Sequence, residues 1–331
     1  MEDNIYMKRA IYLASLAHHS LTRGNPKVGA VLVHNRRIIG EGYHQVRGEA
    51  HAEVHCINSV RPEDKKLIPH STMYVTLEPC AHQGLTPSCA MMLAKLKLSK
   101  VVIGTLDPFP KVAGKGCQIL REAGIEVEVG MLEEECRNVA KVFMTNQLEH
   151  RPYIILKWAE SIDGFIDHNR TSRSESPARL SSPFSQLLTH RLRGDCSAIL
   201  IGSRTALLDQ PSLNNRLWPG LPSPHPIILS GVNTPIPSLY LENPNWIIMK
   251  SNTDLISLIQ GLYRDGIHTL LVEGGATIHR AFLQAGLWDL IRREIAPTKL
   301  QYGVSAPLIP EDARLIHEEQ FQEQLLKYYQ H

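Results

Sequence analysis

A histidine, a glutamate and two cysteines stand at spacings typical of a catalytic metal site. His51 and Glu53 enclose one alanine, Cys80 follows a β-rich run that ends in Glu78-Pro79, and Cys89 comes after eight further residues. One imidazole and two thiolates suit zinc, and a catalytic zinc keeps its fourth position for water. A glutamate two residues after the histidine is placed to move protons to and from that water. The sequence therefore predicts one zinc per chain, held by His51, Cys80 and Cys89, with Glu53 as the catalytic acid and base.

A closed structural zinc is the alternative interpretation of the same residues. His-x-Glu occurs by chance in many chains, and cysteine pairs often belong to four-ligand structural sites. In that case His82 or Cys56 would supply the fourth ligand. The Pro-Cys step after a strand-like run, with His-Ala-Glu upstream of it, favours the catalytic site.

The second half of the chain carries a candidate anion site. Glu273-Gly274-Gly275 ends a predicted strand and opens a predicted helix. Backbone amides at a helix N-terminus bind phosphate, and glycine allows close approach; a tight turn without a ligand is the alternative. The pattern is not G-x-G-x-x-G, so it does not indicate a Rossmann domain. Ile201 to Thr205 forms a second such turn, and ligands of α/β sheets lie beyond the carboxyl ends of strands.

Bulk composition limits the class of protein. A chain of 331 residues with 43% apolar content suggests two globular domains. The net charge is +2 and no long basic run occurs, which argues against nucleic-acid binding. Six cysteines without disulfide-framework spacing indicate a reducing compartment. No apolar stretch reaches the roughly 18 residues of a membrane span, and no signal-peptide core is seen at the start. We therefore expect a cytoplasmic protein that does not associate with membranes.

Hydrophobic spacing predicts α/β elements that position the metal site. A helix over 51–58 puts His51 and Glu53 near its start, aimed at the end of a strand over 73–77. A helix over 88–98 puts Cys89 in its first turn, where the helix dipole stabilises a thiolate. The other elements predicted for this half are helices 3–22, 114–123 and 133–149 and strands 29–33, 38–43 and 101–105.

The α/β alternation restarts after Arg151-Pro152, so we divide the chain into domains 1–148 and 149–331. Each should hold a mixed sheet with helices on both faces. Residues 203–245 are rich in Pro, Asn and Ser and are predicted to be long loops. The elements predicted for this half are strands 153–159, 198–202, 226–229, 246–249, 269–273 and 290–296 and helices 182–193, 254–265 and 276–285.

Several stretches resemble one known family, the bifunctional riboflavin-biosynthesis deaminase/reductases. The first half resembles the cytidine-deaminase-like fold, and the eight-residue interval between the two thiols, with Thr86-Pro87 inside it, is similar to this branch. The other matching stretches follow the order of the family: 25–29, 48–54, 107–116, 157–164, 209–213 and 272–275. The resemblance covers nearly the whole chain.

The resemblance implies a fold and a function for each half. The first would be a cytidine-deaminase-like three-layer domain that deaminates a small phosphorylated pyrimidine. The second would be a dihydrofolate-reductase-like domain that reduces the ribosyl side chain to ribityl with NADPH. We also expect a homo-oligomer. Carried over by position, the resemblance implies cofactor contacts at Ala159, Thr205, Asp209, Gly275, Ala276 and Thr277. It implies substrate contacts at Asn25, His44, Lys157, Arg193, Leu213, Arg216 and Glu273. Arg193 and Arg216 would suit a phosphate clamp.

The chain departs from the family pattern near both sites. Leu85 stands where the family usually has a lysine or arginine that holds substrate phosphate. The alternatives for that role are His82, Lys111 and the backbone near Thr86. In the second half, the segment around Arg179 lacks the Trp-Ile-Thr often found there, and Arg204 stands where glycine is common.

Two other functions compete with this interpretation. One is a zinc deaminase that acts on a nucleoside or on tRNA adenosine, joined to an unrelated second domain. The long interval between the thiols and the balanced charge argue against it. The other is a non-catalytic protein that binds zinc and a nucleotide, which a four-ligand zinc would support.

Overall fold

The computed structural model describes residues 4–81, 88–109, 113–231, 234–250 and 254–331. The chain separates into two compact units, Met1–His150 and Arg151–His331. This division falls two residues after the predicted boundary. Within the described ranges, every helix is too short or too polar to cross a bilayer.

A five-stranded mixed sheet forms the centre of the first unit. Its strands are β1 (Gly29–His34), β2 (Arg37–Tyr43), β3 (Thr72–Leu77), β4 (Lys100–Thr105) and β5 (Glu126–Val129). The order across the sheet is β2-β1-β3-β4-β5. β1 runs antiparallel to β2 and β3, whereas β3, β4 and β5 are parallel. The carboxyl ends of β3 and β4 therefore lie side by side, and the polypeptide after each can reach one site.

Helices cover both faces of this sheet. They are α1 (Asn4–Ser15), α2 (His19–Thr22), α3 (Ala52–Asn58), α4 (Cys89–Leu96), α5 (Lys115–Glu122), α6 (Glu133–Val139) and α7 (Lys141–Glu149). Successive residues of β1 point to opposite faces. Leu32 packs in a cluster with Ala52 of α3 and Leu93 of α4, whereas Val31 packs with Met7 of α1. The unit is thus a three-layer α/β/α structure.

The second unit contains an eight-stranded sheet and a small two-stranded one. Its strands are β6 (Tyr153–Ser161), β7 (Phe165–Asp167), β8 (Ala198–Gly202), β9 (His225–Ser230), β10 (Ile247–Lys250), β11 (Thr269–Val272), β12 (Leu290–Ala296), β13 (Val304–Ser305), β14 (Arg314–Phe321) and β15 (Gln324–Gln330). The larger sheet has the order β10-β9-β8-β11-β6-β12-β15-β14. Its first six strands are parallel to one another. β15 runs antiparallel to β12, and β14 runs antiparallel to β15.

The five helices described in this unit are α8 (Pro183–Asp195), α9 (Ser203–Asp209), α10 (Ser238–Leu241), α11 (Leu255–Arg264) and α12 (Ala276–Gln284). Ile154 and Leu156 of β6 pack with Ile259 of α11 and Phe282 of α12 in the apolar core. Since alternate residues of a strand face opposite ways, Lys157 faces away from that core.

Several predicted elements need correction. The helix predicted over 3–22 is broken into α1 and α2, and the helix over 133–149 is broken at Ala140, which has non-helical backbone angles. Residues 203–245 are not long loops throughout, because they also form α9 and α10. The strands β5, β7, β13, β14 and β15 and a 3₁₀ helix over Pro62–His70 were not predicted. Most of β14 is exposed and polar, so it lacks the apolar alternation on which strand prediction depends.

Candidate zinc centre and candidate nucleotide cleft

Three element ends bring the predicted metal ligands together. His51 is the residue before the first turn of α3, Cys80 follows β3, and Cys89 is the first residue of α4. The Ser88 hydroxyl caps α4 by accepting from the backbone N–H of Met91, and it donates to the carbonyl of Cys80 at 2.8 Å. The start of α4 is thus fixed to the loop that carries the other cysteine.

The distances between the ligand atoms fit a single zinc ion. His51 Nδ1 lies 3.6 Å from Cys80 Sγ and 3.4 Å from Cys89 Sγ. A tetrahedral zinc with ordinary Zn–S and Zn–N bonds sets such atoms about 3.6 Å apart. Among the described residues, these three form the group of His, Cys and acidic side chains close enough to share an ion. Cys56 is instead buried in the apolar core, and His82 lies outside the described residues.

The electrostatics of the centre favour a metal-binding thiolate beside a proton carrier. A hydrogen bond from the Cys89 thiol lowers the pKa of Cys80, and the backbone N–H of Cys89 also donates to that sulfur at 3.3 Å. Glu53, in the first turn of α3, is only 3% exposed. Burial, with a smaller contribution from the negative charge of Cys80, raises the pKa of Glu53 to about 7. A carboxyl group of this pKa can both accept and release protons near neutral pH.

Asn25 and His44, predicted as substrate contacts, lie together beside this centre. The His44 ring meets the His51 ring edge-on with centroids 5.4 Å apart. Its Nδ1 lies 3.2 Å from the carbonyl oxygen of Ala50, and its Nε2 lies 3.1 Å from the amide nitrogen of Asn25. Because a carbonyl oxygen only accepts hydrogen bonds, Nδ1 of His44 must be the donor to Ala50. Burial lowers the pKa of His44 and so favours the neutral ring, in which Nε2 accepts a hydrogen bond from the Asn25 amide.

Glu78 connects the ligand loop to the polypeptide after β4. Its buried carboxylate accepts from the backbone N–H groups of Gly114 at 2.9 Å and Gly116 at 2.8 Å. The N–H groups of Asp107 and Cys117 approach it at 3.3 Å. No role for Glu78 was predicted from the sequence, although its place directly before Pro79-Cys80 was a signal. The residues discussed for phosphate binding near this loop, His82, Leu85, Thr86 and Lys111, lie outside the described residues.

A cleft of about 1330 Å³ opens in the second unit. It lies at the carboxyl ends of the parallel strands, lined by residues of β6 and those that follow β8, β9 and β11. The Gly274-Gly275 turn precedes α12 here. A Cβ on Gly274 would lie 2.5 Å from Ile201 Cα, so this glycine permits close packing on β8. Gly275 has φ +42°, a backbone conformation that side chains disfavour.

Most of the predicted cofactor and substrate contacts line this cleft. They are Lys157, Ala159, Arg193, Thr205, Asp209, Glu273, Gly275, Ala276 and Thr277. Leu213 and Arg216 are not among the lining residues. Leu213 is buried, whereas Arg216 is exposed and donates to the side chains of Ser212 and Asn214.

Two of the predicted substrate contacts bind each other. Arg193 donates from Nε and Nη2 to the two carboxylate oxygens of Glu273, at 2.9 and 2.7 Å. Burial raises the pKa of Glu273, but the charge and hydrogen bonds of Arg193, together with the charges of Lys157 and Arg292, outweigh this effect and lower that pKa. Arg193 also donates to the backbone carbonyl of Asn214 at 3.4 Å. The side chain of Asn214 in turn accepts a hydrogen bond from Arg216. The guanidinium of Arg193 is therefore held in a fixed orientation at the cleft.

The predicted cofactor contact Asp209 pairs with Arg170, which sequence analysis missed. Arg170 is 4% exposed and donates to Asp209 at 2.6 Å and to Asp167 at 2.7 Å. The side chain of Arg204 donates to the backbone carbonyl of Arg170. Arg179, at the other noted departure, lines the cleft. Arg170, Arg179 and Arg204 all line the cleft and add positive charge to it, although Arg170 is paired with two aspartates.

Two buried charges beside the predicted contact Lys157, those of Arg292 and Glu294, were not predicted from the sequence. Arg292 is 2% exposed, Glu294 is completely buried, and Lys157 Nζ lies 3.8 Å from a carboxylate oxygen of Glu294. A signal was present, because Arg292 and Glu294 are alternate charged residues within the strand predicted over 290–296.

The comparisons agree with this division of sites. A family model for the cytidine and deoxycytidylate deaminase zinc-binding region matches residues 1–105, and a model for the RibD C-terminal domain matches residues 152–312. The riboflavin biosynthesis protein RibD of Aquifex aeolicus is 36% identical, with 92% of this chain and 89% of the relative covered. RibD of Escherichia coli is 34% identical, with 91% and 89% covered.

Two solved structures are similar over nearly their whole length. RibD of Acinetobacter baumannii has a TM-score of 0.86 at 31% identity, with 99% of this chain and 98% of that chain covered. A structure from Thermotoga maritima, described as a diaminohydroxyphosphoribosylaminopyrimidine deaminase/5-amino-6-(5-phosphoribosylamino)uracil reductase, has a TM-score of 0.87 at 31% identity and the same coverage.

Fold and sites together define a zinc-binding deaminase unit followed by a reductase unit. The chain belongs to the RibD family and is a bifunctional deaminase and reductase of riboflavin biosynthesis. The predicted fold, a cytidine-deaminase-like domain followed by a dihydrofolate-reductase-like domain, is confirmed. The rival with an unrelated second domain is wrong, because the second half matches the family's own C-terminal domain. The family implies zinc in the first unit and a nicotinamide cofactor in the second, and the individual site residues remain predictions.

Proposed function

We propose that the first unit deaminates 2,5-diamino-6-ribosylamino-4(3H)-pyrimidinone 5′-phosphate and that the second reduces the ribosyl side chain of the product to ribityl with NADPH. The observation that carries the deaminase assignment is the geometry of His51, Cys80 and Cys89 beside the buried Glu53. The substrate class follows from the similarity to the Thermotoga maritima structure, whose description names both activities.

Glu53 would carry the protons of the deamination. His51, Cys80 and Cys89 would hold the zinc ion, which when bound would lower the pKa of a water molecule. The water oxygen bonds to the ring carbon that carries the amine, and the bond from that carbon to nitrogen breaks. Glu53 takes a proton from the water and delivers it to the nitrogen, which leaves as ammonia. The burial of Glu53 supports both roles, since it raises the pKa of the carboxyl to about 7, where the group can accept and release a proton near neutral pH.

Asn25 would recognise a hydrogen-bond donor on the substrate. The carbonyl of Ala50 fixes the His44 tautomer, and His44 in turn accepts from the amide nitrogen of Asn25. The amide group of Asn25 is thereby oriented, so that its carbonyl oxygen is the end left for a ligand. An acceptor at this position suits an N–H or O–H group of the aminopyrimidine nucleotide.

The second unit would bind two anionic ligands in its cleft. The cofactor supplies the hydride, and the protein positions and polarises the substrate. The turn at Gly275 would approach a cofactor phosphate, while Lys157, Arg193 and Glu273 contact the substrate. Six cationic and three acidic side chains line the cleft, an excess that suits phosphates: Lys157, Arg170, Arg179, Arg193, Arg204 and Arg280 against Asp167, Asp209 and Glu273. NADPH carries one phosphate more than NADH and should be favoured by this charge.

The test is to incubate the zinc-loaded protein with the pyrimidine substrate alone, with NADPH and with NADH, and to identify the products by mass spectrometry. Substrate alone should exchange one amino group for oxygen. NADPH should add two hydrogens to that product, with a higher kcat/KM than NADH. Equal use of both cofactors would overturn the preference, and no deaminated product would overturn the proposed substrate. The predicted homo-oligomer would be tested by sedimentation equilibrium.

A further inference from the structure

Strand register brings three charged side chains to one face of the sheet in the second unit. In the parallel pair β6–β12, Arg292 lies opposite Lys157, and Glu294 lies opposite Ala159. Alternate residues of a strand share a face, so Lys157, Arg292 and Glu294 project to the same side. Thr189 of α8 lies on this side, 3.4 Å from Arg292 Nη1. The cluster is thus enclosed between the sheet and α8.

Glu294 has one evident electrostatic partner in this cluster. It is completely buried, and neither of its carboxylate oxygens accepts a hydrogen bond from any residue that the structure describes. A buried charge without compensation is strongly unfavourable. The ammonium of Lys157, 3.8 Å from Glu294 Oε2, supplies the compensation.

Lys157 depends on Glu294 because the other nearby carboxylate is already engaged. Glu273, at the end of β11, is held by two hydrogen bonds from Arg193 of α8. Burial lowers the pKa of Lys157; the charges of Glu273 and Glu294 oppose this effect, whereas those of Arg292 and Arg193 add to it. His279 of α12 also packs near Lys157, and burial keeps it neutral by lowering its pKa to about 3. Arg193 and Arg292 therefore disfavour the charged form of Lys157. Of the two nearby carboxylates, Glu273 is hydrogen-bonded to Arg193, whereas Glu294 is hydrogen-bonded to neither arginine.

We propose that Glu294 is a positioning residue of the reductase, which holds the Lys157 ammonium at the wall of the cleft so that it donates hydrogen bonds to the substrate. The inference rests on the proposed reductase function. Glu294 is itself completely buried, whereas Lys157 lines the cleft. Glu294 therefore acts through Lys157 rather than by contact with the substrate.

Glu294→Gln tests this role because it removes the charge and keeps the shape. Loss of an opposite charge at this distance should move the pKa of Lys157 down by about one to three units. The reductase kcat/KM should then begin to decline at a pH that is lower by the same amount. Above that pH, each unit by which the pKa of Lys157 falls lowers kcat/KM about tenfold. Binding of NADPH, measured by fluorescence, should not change. Glu294→Asp keeps the charge and should restore most of the parent pH profile.

Glu160→Gln is the matched control. Glu160 is also buried on β6, but it faces the opposite side of the sheet, where it pairs with Arg293 and with the indole N–H of Trp158. Its substitution should lower the melting temperature without moving the pH profile. A shift of the profile in the control as large as in Glu294→Gln would show that any buried carboxylate has this effect, and would overturn the proposal.

A direct titration of Lys157 separates this inference from the proposed function. Lysine labelled with ¹³C at Cε reports the charge of each ammonium by NMR, and a Lys157→Arg chain assigns the signal. The pKa of Lys157 should be lower in Glu294→Gln than in the parent, whether or not the chain reduces the pyrimidine. An unchanged titration would overturn the role of Glu294. Should Glu294→Gln not fold, Glu294→Asp should show a smaller shift in the same direction, and no shift there would count against the role. Absence of reduction by the parent chain would refute only the proposed function.

Discussion

Replacement of Glu53 by glutamine would test the proton transfer on which deamination depends. The substitution keeps the size of the side chain and removes its capacity to exchange a proton. Glu53 lies in the first turn of α3, two residues after His51, and is 3% exposed. Glu53 therefore lies beside the metal ligands, and bulk water has little access to replace it as the proton carrier.

The expected loss follows from this role. A positioned acid and base contributes roughly 10²- to 10⁴-fold to the rate, which corresponds to about 3–5 kcal/mol of activation free energy. Deaminase kcat in Glu53→Gln should fall within this range, while bound zinc stays stoichiometric, because the three ligand atoms already satisfy the distances of a zinc site. Zinc content is measured by mass spectrometry of the metal, and turnover by release of ammonia.

Glu63→Gln provides the control, since the same change is made on an exposed side chain of the same unit. It should leave kcat unchanged. Near-normal deamination by Glu53→Gln would refute the assigned role, and loss of zinc from that variant would make Glu53 a ligand.

Three further predictions concern the metal, the cofactor turn and acid stability. Cys89→Ser should remove zinc along with deamination, because a site with two ligands holds the metal weakly; stoichiometric zinc in the purified variant would contradict this. Gly275→Val should weaken NADPH binding in a fluorescence titration, since φ is +42° there and phosphate must approach closely. Gly266→Ala, at another positive-φ glycine with open space around it, should leave binding unchanged. Asp163→Asn should lower the melting temperature at neutral pH, because a hydrogen bond from Ser161 and backbone N–H groups hold the pKa of Asp163 at about 2. Since this depressed pKa stabilises the fold above about pH 4, the difference from the parent should shrink as the pH falls towards 2; a constant difference would refute it.

The zinc centre could be predicted because its signals are local. Cys80 follows a strand with strong apolar character, and Cys89 opens a helix that Ser88 caps. His51 directly precedes a helix whose start is set by apolar spacing. Each ligand therefore stands at the end of an element that a short window of sequence defines, and the parallel pairing of β3 and β4 places the following loops at one edge.

The reductase cleft could be predicted only in part, because its pairings are not local. Arg193 and Glu273 are 80 residues apart in the chain, and nothing near either residue indicates that they bind each other. Arg170 stood in a stretch without periodicity, so its pairing with Asp209 gave no signal. The strand β14 was missed for a different reason: it lies at the edge of the sheet, and an exposed edge strand needs no apolar face.

The central claim, that one chain holds two separate catalytic sites, is tested most directly by the reductase activity of Cys80→Ser. The variant is supplied with NADPH and, in separate reactions, with the diaminopyrimidine substrate or with its deaminated product. Oxidation of NADPH is followed by the loss of the absorbance of its reduced nicotinamide ring. We predict no oxidation with the first substrate and the parent rate with the second. Loss of oxidation with both, in a folded protein, would contradict the two-site account.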